Sequence, residues 1–482
     1  MKQRQPNQRP RRGSVIVIVI WSIAIAAVIV GAAQVLAFRQ AAMGRESLAK
    51  VEARWAARAG VEETLAVLEY HTEEPDATDS RQMFKDLELV ADGQLSSGDW
   101  QIRHVEDGVE IKGPQDEHAK ININNIDRLA LLELSGMTMD VADAIVDWRD
   151  TDDTPGMMGA EYDFYMNRGL GYEPRNGPFR SIAELELVAG AFPKYVRGED
   201  QNLNGRLDPN ENDGALSEPP DDTDGFLDSG WSGALTARSS GSLLSASGLE
   251  RVNLKTATPE EMVERFGVTT EQATALANFA KSGSAKLEML LTQDLSTLAS
   301  GGANTRAPTN SRTPTGRNAA GSNNQAPQAE TGRQTGRSSA GASAAPAGGA
   351  RIQALDTTQL RKIFQEGTLE AAGTPIVGKV NLNTAPPSIL RALLPNDPIS
   401  ADAILSLRSS SSSGLLALSD LRSSNRISPD SLAAIAPYAD TQSYVFTVTS
   451  RGRSATTGLE VEITAVIDRS TLPARILEYR EQ

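Results

Sequence analysis

The sequence predicts an α+β chain: one long N-terminal helix, a small antiparallel sheet drawn from strands near both ends, and all-α repeats inserted between them. Three observations carry this. An uncharged apolar stretch at residues 14–38 runs on, with no proline before residue 75, into an amphipathic pattern that reaches residue 70. Two stretches with strand alternation lie far apart, around residues 100–111 and 444–467. Between them, three segments repeat one another without gaps.

Composition narrows the function classes. At about 100–200 residues per domain, 482 residues suggest two to four domains. There is no Cys, which excludes disulfides, thiolate catalysis and any sulfur-ligated metal site. The three His (His71, His104 and His118) lie far from one another and from any nucleophile at a useful spacing, so no catalytic constellation is found and an enzyme is not expected. The net charge of −15 argues against nucleic acid as a partner. The charge is uneven: residues 1–13 carry five cations and no acid, whereas residues 197–228 carry ten acids against two arginines.

The long helix comes first. Residues 14–38 are long and apolar enough to span a bilayer. The cations before them predict a cytoplasmic N-terminus and place the bulk of the chain across the membrane. A cleaved secretory signal is the other reading of a basic start, but the apolar run exceeds an ordinary signal core. Beyond it, Leu48, Val51, Trp55, Ala59, Leu65 and Leu68 recur at mostly helical steps and predict one apolar stripe.

The strands follow. Residues 100–103 and 109–111 alternate around Asp107-Gly108, a hairpin signal. Residues 444–449 and 459–467 predict a second hairpin, with a short strand at 475–479 after it. Both hairpins are expected to pack on the long helix.

The repeats open at Ile121-Asn122-Ile123-Asn124, Val252-Asn253-Leu254-Lys255 and Val380-Asn381-Leu382-Asn383. Counted from the last residue of each opening, the twentieth residue on is Ala144, Ala275 or Ala403, and the twenty-fourth is Trp148, Phe279 or Leu407. Each unit reads as helix, tight turn, helix, with Gly136, Gly267 and Pro395 at the turns and a capping box at Thr258-Pro259-Glu260-Glu261. Such units resemble helix-hairpin-helix modules, many of which bind DNA through turn amides. The acids around the first copy, the missing Gly in the third turn and the lack of basic clusters favour a structural module.

A second resemblance covers more of the chain. Arg11-Arg12-Gly13, followed by the uncharged start of a long helix at Ser14, resembles a type IV pilin or pseudopilin precursor. In that family prepilin peptidase cuts after the Gly, which implies processing between Gly13 and Ser14. Most members carry Glu at the fifth mature position, which in this chain is Ile18. That omission, the Asn381-to-Ala385 opening, the Trp148-Arg149-Asp150 ending and Gly159-Ala160-Glu161-Tyr162-Asp163-Phe164-Tyr165 together resemble the minor pseudopilin K family of type II secretion systems, over roughly 14–200 and 379–482. The resemblance implies a pilin-like α+β domain with a helical insertion and a place at the pseudopilus tip. A tip subunit has no neighbour to pair a buried Glu, and an unpaired buried carboxylate is costly, which suits Ile18. The second repeat and the segment 299–351, which has no Val, Ile, Leu, Met or aromatic residue and reads as a disordered linker, depart from the family's compact pattern.

The acidic segment points to calcium. Asp200, Asn202, Asn204, Asp208 and Glu211 fall at positions 1, 3, 5, 9 and 12 of a calcium loop, with Gly205 at position 6 and the Arg206 carbonyl at position 7. A solvated acidic loop is the alternative. Asp222, Asp224 and Asp228 form a shorter version. In the K family calcium is associated with the region after the first repeat, which implies ligands among Asp150, Asp152, Glu161 and Asp163.

The resulting map is leader 1–13, transmembrane helix 14–38, pilin-like domain 39–118, first repeat 119–198, acidic segment 199–250, second repeat 251–298, linker 299–351, third repeat domain 352–440 and closing strands 441–482. The expected function is a non-enzymatic minor pseudopilin in the bacterial inner membrane, its bulk periplasmic, supporting protein export across the outer membrane. Its expected partners are other minor pseudopilins, the major pseudopilin, prepilin peptidase and exported substrates. The different-class alternative is a membrane-anchored helix-hairpin-helix protein that binds DNA during uptake.

Overall fold

The computed structural model of the chain describes residues 13–216, 220–301, 352–371, 374 and 376–481. Helix α1 spans Gly13–Glu73; residues 1–12 of the expected leader lie outside the described residues. The apolar N-terminal part of α1 is exposed and is long and apolar enough to cross a membrane. The helix passes its expected end at residue 70 by about one turn. Thr72 Oγ1 donates back to the Leu68 carbonyl at 2.7 Å, and His71 Nε2 donates to Asp86 Oδ2 at 2.8 Å. Asp86 lies on α2, Gln82–Val90, which has no counterpart in the sequence expectations.

The second half of α1 packs on one antiparallel sheet. Its strands are β1 (Asp92–Leu95), β2 (Gly98–Glu106), β3 (Val109–Lys112), β4 (Gln115–Asp116), β5 (Val445–Ser454), β6 (Glu460–Asp468) and β7 (Arg475–Glu481). The order is β1-β2-β5-β6-β7, with β3 also on β2 and β4 also on β5. The two ends of the chain meet where Gly452 lies opposite Trp100 and Ser450 opposite Ile102. Asp107 and Gly108, with φ of 47° and 76°, make the expected tight β2–β3 turn. The core joins Val61 and Leu68 of α1 and Leu87 of α2 to Trp100, Ile102, Phe446, Val448, Ile463 and Ile467 of the sheet.

The apolar stripe expected on α1 is only partly the buried one. Leu48, Val51 and Trp55 stay exposed, whereas Ala49, Ala53, Ala56, Ala57 and Val61 are buried. The reason is backbone proximity. A Cβ on Gly452 would lie 2.1 Å from the Ala53 carbonyl oxygen and 2.2 Å from Ala57 N, so α1 meets β5 almost backbone to backbone and only small side chains fit between.

The three copies of the repeat share one plan, with first helices of different length. Its helix pairs are α3 (Arg128–Leu131) with α4 (Met139–Arg149), α5 (Pro259–Phe266) with α6 (Thr270–Ala280), and α7 (Pro387–Leu393) with α8 (Pro398–Ser410). Each copy opens on a two-residue strand paired in parallel with a strand far downstream: Ile121–Asn122 with Leu235–Thr236, Val252–Asn253 with Gly367–Thr368, and Val380–Asn381 with Ala439–Asp440. The Asn of each opening accepts the N–H two residues on, at 2.8, 2.9 and 2.9 Å in copies one, two and three. Ala144, Ala275 and Ala403 are all buried, as their shared offset predicts. In the second copy Thr258 caps α5 by accepting Glu261 N at 3.2 Å, and Gly267 ends that helix at φ 68°.

The chain divides into two compact units, Met1–Arg251 with Glu370–Gln482, and Val252–Leu369. The second has its own core, built around Leu254, Met262, Phe266, Leu276, Phe279 and Ile363. The expected third repeat domain therefore divides, because helix Thr357–Glu366 brings Leu360 and Ile363 to the second unit's core rather than to the third copy. Helix Leu295–Gly301 takes the first residues of the expected linker, and residues 302–351 lie outside the described residues.

Candidate metal centre

The first repeat ends in an acidic turn. Asp147 lies in the last turn of α4 and Asp150 is its C-cap. A helix C-terminus carries partial negative charge, so two carboxylates there are disfavoured without a cation. The chain then loops through residues 151–160 and returns with Glu161, the N-cap residue of helix Tyr162–Asn167. Oxygens of Asp147, Asp150 and Glu161 all lie within 4.8 Å of one another.

The hydrogen bonding in this cluster is incomplete. Both oxygens of Asp147 accept the Gly156 N–H at 3.1 Å, and neighbouring Asp143 accepts the Met158 N–H at 3.0 Å. Glu161 is only 4% exposed, yet neither of its oxygens has a hydrogen-bond partner. Burial, and after it the charges of Asp147 and Asp150, pushes the Glu161 carboxyl up to about 7. Burial also raises Asp147 and Asp150 above the usual carboxylate range. The loop follows Asp147 closely: a Cβ on Gly159 would fall 1.8 Å from Asp147 Oδ2. Three hard oxygen donors, one of them a buried carboxylate without a hydrogen-bond partner, fit calcium by donor chemistry.

Of the four residues expected here, the structure brings Asp150 and Glu161 together and adds Asp147. Asp152 is exposed and accepts Thr154 N at 2.8 Å, and Asp163 is exposed on the helix that follows Glu161; neither belongs to the close set. Asp147 stands inside the helix, ahead of the acidic run at 150–153, so the run by itself does not point to it. The available signal was helical: Asp147 and Asp150 stand three residues apart, on one face.

The loop 200–211 wraps on itself. Asp200 accepts the N–H groups of Asn204 and Gly205, both at 3.0 Å, Asn202 accepts Asn204 N at 2.9 Å and Asn204 accepts Arg206 N at 2.8 Å. Glu211 returns to accept Gln201 N at 3.1 Å and Asp208 N at 2.9 Å. Leu203 and Gly205 take positive φ at the bend. Burial raises Asp200 and pushes Glu211 up to about 7. The loop is fixed to the sheet, since Asn204 Nδ2 donates to Glu462 at 3.0 Å and Arg451 bridges Asp208 at 2.7 Å and Glu462 at 2.9 Å.

Asp222, Asp224 and Asp228 are exposed, and each accepts the backbone N–H two residues on, at 3.1, 2.7 and 2.9 Å. The carboxylate that ties their segment together is Glu199, which accepts Asp222 N and Asp228 N at 3.4 and 3.1 Å. Sequence spacing had not singled it out. At the N-terminus Gly13 and Ser14 open α1, and Ile18 is exposed in its apolar part.

Comparisons with known proteins bear on this region directly. Residues 115–198, which hold the first repeat and the Asp147–Asp150–Glu161 cluster, match the family model described as type II secretion system (T2SS), protein K. No curated protein sequence matches the chain. One similar solved structure is the GspK-GspI-GspJ complex from the enterotoxigenic Escherichia coli type 2 secretion system. The match covers 91% of this chain and 99% of that one at 12% identity, with a TM-score of 0.43. Over residues 115–198, then, the chain carries a segment that matches the type II secretion system protein K family.

Proposed function

We propose that the chain works as the minor pseudopilin K of a type II secretion system, a structural subunit that assembles with other minor pseudopilins to support protein export. The observation that carries this is the protein K domain at residues 115–198, set between the two halves of a helix-on-sheet domain. The apolar half of α1 anchors the subunit in the inner membrane with its bulk in the periplasm, a reading supported by the cations that precede it. Prepilin peptidase cuts between Gly13 and Ser14. Ile18, in place of a carboxylate, suits a subunit with no neighbour above it. Other minor pseudopilins are the first partners expected on this reading, which the protein K match supports. Exported substrates and the major pseudopilin are further partners on the same reading. DNA binding during uptake has no supporting observation.

Calcium in this reading is structural. Asp147, Asp150 and Glu161 would hold one ion, whose charge offsets their mutual repulsion. The loop 200–211 is a second candidate by its oxygen spacing and its closed hydrogen bonding. The function is tested by affinity purification of the detergent-solubilised full chain from its own cells. Other minor pseudopilins should co-purify, and deleting the chain should leave exported proteins in the periplasm. Recovery of the chain without them, together with normal secretion in the deletion strain, contradicts the reading.

A further inference from the structure

The loop that closes the acidic cluster also carries an exposed apolar surface. Met157 is 94% exposed, and Met158, Tyr162, Met166 and Leu170 range from 43% to 54%. Tyr162 and Met166 stand four residues apart on one face of helix Tyr162–Asn167, Leu170 follows just beyond its end, and the two methionines lie in the loop before it, with three residues between. Flexible, polarisable methionines are favoured at surfaces that receive varied partners. Apolar side chains gathered on a water-facing segment mark an interaction site.

Charge decides among the possible occupants. Apart from Asp150 and Glu161 of the metal cluster, residues 150–173 carry four exposed carboxylates (Asp152, Asp153, Asp163 and Glu173) against one cation, Arg168, whose guanidinium is already stacked 4.4 Å over Phe164. An anionic lipid surface would be repelled. A second copy meeting the same face would bring like charge against like charge. A cationic, amphipathic segment satisfies both the apolar surface and its acidic surround.

We propose that the Met157–Leu170 surface is a docking site for a cationic amphipathic segment of a partner protein. The surface is built on the metal cluster. Gly156 N–H donates to Asp147 and Met158 N–H to Asp143, so the methionine loop hangs from carboxylates in and beside that cluster. A cation on Asp147, Asp150 and Glu161 fixes the loop in its presenting form; this coupling rests on the reading of the cluster as a calcium site.

The test uses the full chain in zwitterionic nanodiscs, with empty discs subtracted. The probes are an 18-residue fluorescent Leu/Lys amphipathic peptide, a Leu/Glu peptide of the same apolar pattern, and calcium alone measured by calorimetry. With calcium present, the Leu/Lys peptide is expected to bind at least tenfold more tightly than the Leu/Glu peptide. The combined Met157→Ser, Met158→Ser and Met166→Ser variant, whose changes lie on exposed side chains, should lose about tenfold in affinity while keeping its calcium heat. Chelation should weaken the wild-type interaction. Equal binding of both peptides, or unchanged affinity in the triple variant, overturns the docking site. Methionine-dependent peptide binding without any calcium heat leaves the docking site standing and removes only its coupling to the metal.

Discussion

The first and third repeats and the second share one backbone but are held together by different means. In the first copy Asn124 accepts Phe179 N at 2.7 Å and donates to the Phe179 carbonyl at 3.0 Å; in the third, Asn383 does the same with Leu415 at 2.7 and 2.9 Å. Arg149 at the end of α4 donates to the Ile123 and Ile126 carbonyls, and Arg408 in the same place on α8 donates to those of Leu382 and Ala385. The second copy has Lys255 and Ala280 at these positions. Lys255 is exposed, and Ala280 is fully buried in that unit's apolar core. Polar staples hold the copies that sit inside the pilin-like unit. Apolar packing and helix caps, among them the reciprocal Thr269–Gln272 box, hold the copy that forms its own unit. The lesson is that the repeat is specified by its opening Asn, its small buried Ala and its parallel bridge, while the means of closure is free to change.

Substitutions break this comparison in a graded order. Phe279→Ala removes a buried aromatic from the second copy and should cost about 3–5 kcal/mol, read as lost hydrogen-exchange protection along α6. Arg149→Ala leaves two carbonyls without their donor and should cost about 2–3 kcal/mol, with protection lost in α4 and not in α6. Equal effects of Arg149→Ala on both helices would undo the distinction. The smallest effect sharpens it. Lys255→Asn, which restores the residue of the other copies at an exposed site, should change stability by under about 0.5 kcal/mol.

The acidic cluster gives a prediction with a sign. In chelator, folded Glu161 holds its proton up to about 7, against an ordinary 4.5 in the unfolded chain. Between those values the folded state binds more protons, so stability falls as pH rises through that window. Thermal unfolding in EDTA should therefore occur at a lower temperature at pH 8 than at pH 5. Calcium should raise the unfolding temperature most at pH 8, where the carboxylates are charged. A chelated protein that melts alike at both pH values, and alike with calcium, would remove the cluster from the metal account.

Much of the frame was legible because it rests on local periodicity. The α1 helix, both hairpins and the threefold repeat follow from apolar spacing and turn residues such as Asp107-Gly108. What escaped depends on contacts distant in sequence. The buried face of α1 is set by Gly452, some 400 residues away, whose close approach selects Ala53 and Ala57 over Trp55. Helix α2 is short, and its Met83 and Leu87 become core only against the sheet. At the candidate metal centre, residue type pointed to Asp150 and Glu161, which lie in the close acidic cluster. Direction in space decided the rest, turning Asp147 inward and leaving Asp152 and Asp163 in solvent.

We propose that this chain is processed and assembled as a pseudopilin. N-terminal sequencing of membrane-purified protein, from cells with and without prepilin peptidase, tests it most directly. A processed pseudopilin begins at Ser14 when the peptidase is present and at Met1 when it is absent. An intact Met1 in the presence of active peptidase would contradict it.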